Sequence, residues 1–198
     1  MISGLHDLVE SYGRLEQEVQ HCTALRGKGV CARCATPCCR VDFCRESLES
    51  TFLERVRNRF AADARWDPAA GWLAAKGCTL SAGRPPVCYE FLCRTFEENQ
   101  PTPQHIGALR ILAKLIGEAG RNALGHRHLV ELNDLTRLNL PRLTLQLDRA
   151  RTTLGQLVRF WTFAHAGVFQ NELPRHQSCS PALSANAGGG AAPPAPSR

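Results

Sequence analysis

The distribution of cysteine is the feature that most restricts how this chain can fold. Ten of its 198 residues are cysteines, and eight of those ten lie between positions 31 and 93. In a short segment with many cysteines, the disulfide bonds or the bound metal determine the conformation of the backbone. We therefore expect irregular backbone over residues 30–44, where the first group of cysteines lies.

The N-terminal residues indicate the compartment in which these thiols exist. Residues 1–19 contain no uninterrupted apolar segment of the kind that directs export, because five charged residues divide them: Asp7, Glu10, Arg14, Glu16 and Glu18. No apolar stretch approaches the roughly 20 residues that span a bilayer. We therefore expect a cytoplasmic protein without membrane association. In that compartment, clustered cysteines indicate metal ligands or free thiols rather than disulfides.

The first block of cysteines has the spacing of a metal site. Residues 31–39 read Cys-Ala-Arg-Cys-Ala-Thr-Pro-Cys-Cys, so that Cys31, Cys34, Cys38 and Cys39 fall close together, and Cys44 follows shortly after them. A tight turn across two intervening residues brings two sulfurs to one ion, which is why C-x2-C recurs in zinc and iron–sulfur sites. The block therefore predicts thiolate ligation of a metal.

A second block contains Cys78, Cys88 and Cys93. On one continuous helix, Cys88 and Cys93 would point about 140° apart, too far for a shared pair of ligands. If both bind one metal, one of them must lie at a helix end. Arg84 would add positive charge near the thiols, which lowers their pKa and offsets the negative charge of several thiolates.

Together the two blocks resemble the CxxCxxCC-type family of zinc- or iron-chelating cysteine-cluster proteins. The family pattern is C-x2-C-x2-C-C, followed some tens of residues later by C-x5-R-P-x2-C-x2-[FY]. The second half matches at every spacing, through Cys78, Arg84, Pro85, Cys88 and Phe91. The first half matches with one extra residue before Cys38, which leaves open whether Cys38 or Cys39 takes the third position.

This resemblance implies a bound zinc ion or iron–sulfur cluster. The thiolates available to hold it are Cys31, Cys34, Cys38, Cys39, Cys78 and Cys88, with Cys44 and Cys93 in reserve. A metal ion is thus the expected partner, in a protein for metal handling or in an interaction module braced by metal. We expect no enzyme; the alternative is a redox or modifying enzyme that uses an iron–sulfur cluster.

Apolar residues alternate at steps of three and four in three segments, a spacing typical of amphipathic helices: 5–22, 104–119 and 140–164. Further helices are predicted over 46–62 and 87–96. Trp72 and Leu73 indicate a short amphipathic turn or helix, and the glycines and prolines of 77–86 indicate a loop.

The predicted protein is mainly α, with a small irregular cysteine-cluster domain packed with long amphipathic helices and a disordered C-terminal tail. Residues 1–29 form the N-terminal helix, 30–98 the cysteine-cluster domain, 99–175 a helical hairpin and 176–198 the tail. The first and last helices pack on each other, or they join a protein partner or a second copy in a homodimer. Packing within one chain is favoured, because a monomer must cover both apolar stripes.

The remaining polar residues carry weaker signals. The net charge is +6, but acidic residues are interspersed among the basic ones along the chain. The sequence contains no recognisable nucleic-acid-binding module, so we do not expect nucleic acid as a partner. His126 and His128 are predicted to be a solvated loop pair rather than metal ligands, and Cys22 a thiol of the core. No catalytic triad, phosphate loop or dinucleotide motif is present, so no catalytic residue is predicted.

Overall fold

The structure is a computed structural model that describes residues 2–27, 40–74 and 77–166. Within these ranges the elements are α1 (Leu5–Gly27), α2 (Val41–Glu49), α3 (Thr51–Phe60), β1 (Leu73–Ala74), β2 (Gly77–Cys78), α4 (Val87–Glu90), α5 (Arg94–Glu98), α6 (Pro103–Gly120), a 3-10 turn (Leu129–Glu131) and α7 (Leu140–Ala166). The mainly α class is therefore confirmed. None of the described helices is both long enough and apolar enough to cross a membrane.

The long helices share one core. Helix α1 packs against α3, α6 and α7, and α6 packs against α7. Leu8 and Leu15 of α1 and Leu143 and Leu147 of α7 are completely buried in this core. The apolar stripes at the two ends of the described chain thus cover each other within a single molecule.

The two C-terminal helices begin where local sequence predicts. The Thr102 side chain accepts a hydrogen bond from the backbone of His105, and Pro103 occupies the first turn of α6. The Asn139 side chain accepts a hydrogen bond from the backbone of Arg142, at 3.1 Å, at the start of α7. Such caps satisfy amide groups that have no partner inside the helix.

The helix predicted over 46–62 is wrong in its bounds. Two helices occupy this region, and α2 begins at Val41, so residues 41–44 are helical rather than irregular. The break is at Ser50, whose backbone is extended and whose hydroxyl accepts a hydrogen bond from the backbone of Leu53 at 3.2 Å. Serine competes for backbone hydrogen bonds inside a helix and is favoured at its N-cap.

The segment between α3 and α6 also differs from its prediction. Residues 87–96 form two short helices, because Phe91 is extended and the Cys93 sulfur caps α5. Leu73 lies in a strand rather than a helix, and it pairs with Cys78 in an antiparallel hairpin. Residues 77–78 therefore form the second strand, and the rest of the predicted loop up to α4 is irregular. The predicted tail, 176–198, lies outside the described residues.

Candidate metal centre

The structure describes four of the eight candidate ligands. These are Cys44, Cys78, Cys88 and Cys93, whereas Cys31, Cys34, Cys38 and Cys39 lie outside the described residues. Cys44, Cys78 and Cys93 are free thiols, as is Cys22. The geometry of the second block and of Cys44 is therefore directly visible.

Cys44 lies near two other candidate ligands, each from a separate element. Cys88, on α4, and Cys78, at the end of β2, are both close enough to Cys44, on α2, to shift the pKa of its thiol. Cys44 is buried in a small apolar cluster with Trp72 and Leu80, against which Cys78 packs. We call Cys44, Cys78 and Cys88 the thiol group.

An apolar wall encloses one side of the thiol group. A Cβ atom at Gly71, which has a φ of +65°, would lie 3.6 Å from the Cys44 sulfur, so the backbone passes directly against that side chain. The Trp72 ring packs in the same cluster and stacks edge-on with Trp66, with the ring centroids 5.3 Å apart. Burial raises the pKa of Cys44, and the nearby Cys78 adds to this effect.

A half-buried arginine lies near the thiol group. The Nε and Nη2 atoms of Arg84 both donate to the Leu80 carbonyl, at 3.0 and 2.7 Å. Burial opposes the charge of Arg84, but Tyr89, Cys78, Glu16 and Cys88 together raise its pKa above the ordinary value. Arg84 is therefore a permanent positive charge near Cys78 and Cys88, as its place between them in the sequence predicts.

Cys93 is not brought to the thiol group. Its sulfur accepts a hydrogen bond from the backbone of Phe96 at 3.4 Å, as the N-cap of α5, and the residue packs against the main core. Cys88 and Cys93 are thus on different helices. Cys22 is buried in the main core, which confirms its predicted role there.

Two residues of α1 reach the site, and sequence reasoning missed both. Glu16 is completely buried and accepts hydrogen bonds from the loop before α4, while Gln20 donates to the same region. A signal was present in the sequence, because Glu16 follows Tyr12 by four residues and so shares its face of the helix. A carboxylate among core positions requires buried polar partners.

The predicted solvated histidine pair is wrong for His128. Its Nε2 atom lies 2.8 Å from the Gly117 carbonyl, and its Nδ1 atom accepts from the backbone of Val130 at 3.3 Å. Burial lowers the pKa of His128, which favours the neutral ring that these two bonds require. His126 is exposed. His128 is therefore a structural cap of the 3-10 turn.

The thiol group suits a soft metal but does not supply a complete site. Among the described residues, no group of three or more Cys, His, Asp or Glu side chains is arranged to hold a metal ion. Thiolates are preferred ligands of zinc and iron–sulfur clusters, and such sites use four. Helix α2, which carries Cys44, begins at Val41, two residues after Cys39 in the sequence.

Comparison with known proteins identifies no relative of this chain. No protein-family model, curated protein or solved structure matches it. The class of protein therefore follows from its own features: a helical core that brings thiols from separate elements near a half-buried arginine.

Proposed function

We propose that this protein binds zinc or an iron–sulfur cluster through thiolates from both cysteine blocks. Its role would be metal handling, or the presentation of an interaction surface braced by the metal. The observation that supports the proposal best is the proximity of Cys78 and Cys88, from two other elements, to Cys44. A metal bound there would join α2, the hairpin and α4.

The ligand set of this proposal combines the thiol group with the first block. One metal ion or cluster takes four thiolates, so at least one ligand comes from Cys31, Cys34, Cys38 or Cys39. Arg84 would offset part of the negative charge that four thiolates carry. A cytoplasmic location fits this chemistry, because the thiols stay reduced there.

Metal analysis of protein purified without oxygen tests the proposal. A brown protein with a broad absorption band on the order of 400 nm, and with matching iron and sulfide, would establish a cluster ligated by cysteine. A colourless protein with stoichiometric zinc would establish a zinc site. The absence of metal from both preparations, and no uptake on reconstitution, would overturn the proposal.

Two cysteine substitutions locate the site within the chain. We expect Cys88→Ser to lower the metal content and the midpoint of urea unfolding together, because the metal braces the elements that hold it. Cys22→Ser is the matched control, since Cys22 is a buried thiol of the main core. Loss of metal in Cys22→Ser with retention in Cys88→Ser would contradict the proposed ligands.

A further inference from the structure

The loop between Cys78 and Cys88 is held from α1 by a single buried carboxylate. The backbone N–H of Gly83 donates to Oε2 of Glu16 at 2.7 Å, and that of Arg84 donates to Oε1 at 2.7 Å. The Tyr89 hydroxyl also donates to Oε1, at 2.7 Å. Both oxygens of Glu16 are thus bound to the segment that joins two candidate ligands.

Gln20, one helical turn further along α1, extends this attachment. Its Nε2 atom donates to the Ser81 carbonyl and to the Tyr89 hydroxyl, at 2.9 Å in each case. Tyr89 directly follows Cys88 in the chain. Helix α1 therefore holds the loop near its start, at its centre and next to Cys88.

The loop conformation depends on partners outside itself. Residues 79–86 contain no helix or strand, so their amide groups have no regular pairing. Gly83 has a φ of +85°, and a Cβ there would lie 2.4 Å from Cγ of Arg57. The central N–H groups meet the Glu16 carboxylate instead. Bonds from N–H groups to a charged acceptor are stronger than those to a neutral one.

We propose that Glu16 is a positioning residue of the metal centre, which fixes the loop that sets Cys78 relative to Cys88 and holds Arg84 beside both thiols. This inference rests on the proposed function. Groups that act behind metal ligands commonly change metal affinity by roughly 10- to 100-fold when they are replaced. Glu16 would do so from a helix that contributes no ligand to the centre.

Glu16→Gln is the informative substitution, because it preserves shape while turning an amide donor toward groups that are themselves donors. We expect its zinc affinity, measured at pH 8 by competition with a chromophoric chelator, to fall by roughly 10- to 100-fold. We also expect the d–d absorption of the cobalt(II)-loaded variant to differ at saturation. That spectrum reports ligand geometry and does not depend on the fraction of protein that is folded.

Glu10→Gln is the matched control on the same helix. Glu10 forms surface ion pairs with Arg14 and Arg59 and does not contact the loop. We expect its zinc affinity and cobalt spectrum to equal those of the wild type. Equal affinity and an equal spectrum in Glu16→Gln would overturn the positioning role while leaving the proposed function intact. A wild-type chain that takes up neither metal would overturn the proposed function itself.

Tyr89→Phe decides the question if circular dichroism shows that Glu16→Gln is not folded. This variant removes one donor to Glu16 and keeps the buried ring. We expect weaker zinc binding and a cobalt spectrum changed from that of the wild type. If both properties of folded Tyr89→Phe match the wild type, the carboxylate network does not position the ligands.

Discussion

Burial of the Glu16 carboxyl costs free energy, and its hydrogen-bond partners offset that cost. Burial raises its pKa to about 7, although hydrogen bonds from Gly83, Tyr89 and Arg84 lower it. The titratable or charged groups that face this carboxyl are Tyr12 on its own helix and Arg84 and Tyr89 across from it. The protonation of this one side chain therefore couples the stability of the fold to pH.

The sign of this coupling follows from the two pKa values. The pKa of Glu16 rises from an ordinary 4.5 to about 7 on folding, so the folded chain holds the proton more tightly. The stabilising contribution is complete below pH 4.5 and is lost as the pH rises through about 7. Over that range we expect the free energy of unfolding of wild type, relative to Glu16→Gln, to fall by about 3 kcal/mol.

Urea unfolding of both chains in reductant and chelator, across this pH range, measures the difference without a contribution from metal. Wild type relative to Glu10→Gln should show no such fall over this range. Hydrogen bonds from Arg14 and Arg59 lower the pKa of Glu10, so its stabilising contribution is lost only as the pH falls below 4.5. A wild-type advantage over Glu16→Gln that grows with pH would mean that Glu16 stays ionised throughout.

At the scale of elements, short non-helical breaks give the region before α6 its shape. Ser50 divides α2 from α3, and the extended backbone at Phe91 divides α4 from α5. The hairpin of β1 and β2 carries Cys78 toward α2. Each break divides a segment with helical spacing into two elements. The changes of chain direction at the breaks bring Cys44 and Cys88 near each other.

Ser50→Ala tests whether the hydroxyl stabilises the start of α3. We expect a loss of about 1 kcal/mol in the free energy of unfolding, because the buried N–H of Leu53 loses its acceptor. Thr152→Ala is the control, since the exposed Thr152 hydroxyl donates to the Asp148 carbonyl within α7 and caps no helix. Urea midpoints that shift equally in both variants would contradict a capping role for Ser50.

At the scale of the whole molecule, α1 and α7 form one core. The structure shows this core within a single chain, and α7 still exposes Leu145, two residues before the completely buried Leu147. Leu145 and Leu147 therefore lie on the exposed and the buried face of α7. Leu145 faces solvent in the single chain, where a protein partner or a second copy could still cover it.

We expect Leu147→Ala to lower the free energy of unfolding by about 2–5 kcal/mol, because it leaves a cavity in the shared core. Leu145→Ala should change it by about 0.5 kcal/mol or less. Chemical denaturation at two protein concentrations measures both. A large loss in Leu145→Ala that depends on concentration would show that a second copy covers this face.

Much of the helical architecture can be read from local sequence. The spacing of apolar residues in α1, α6 and α7 repeats with the period of the helix, and Asn139 marks the start of α7. The breaks at Ser50 and Phe91 cannot be read in this way. A serine that caps a helix and a serine within one look alike until packing determines which hydrogen bond forms.

The candidate site likewise has features that the sequence predicts and features that only the packing of the elements determines. The clustering of cysteines, their spacing and the arginine between Cys78 and Cys88 are properties of the chain, and they indicate thiolate chemistry without any structure. That Cys44 joins Cys78 and Cys88 while Cys93 caps a helix depends on contacts between elements distant in sequence. So does the burial of Glu16, whose partners lie more than sixty residues away. Periodicity records which face of a helix is apolar, whereas the partners of a polar group on that face are set by how the elements pack.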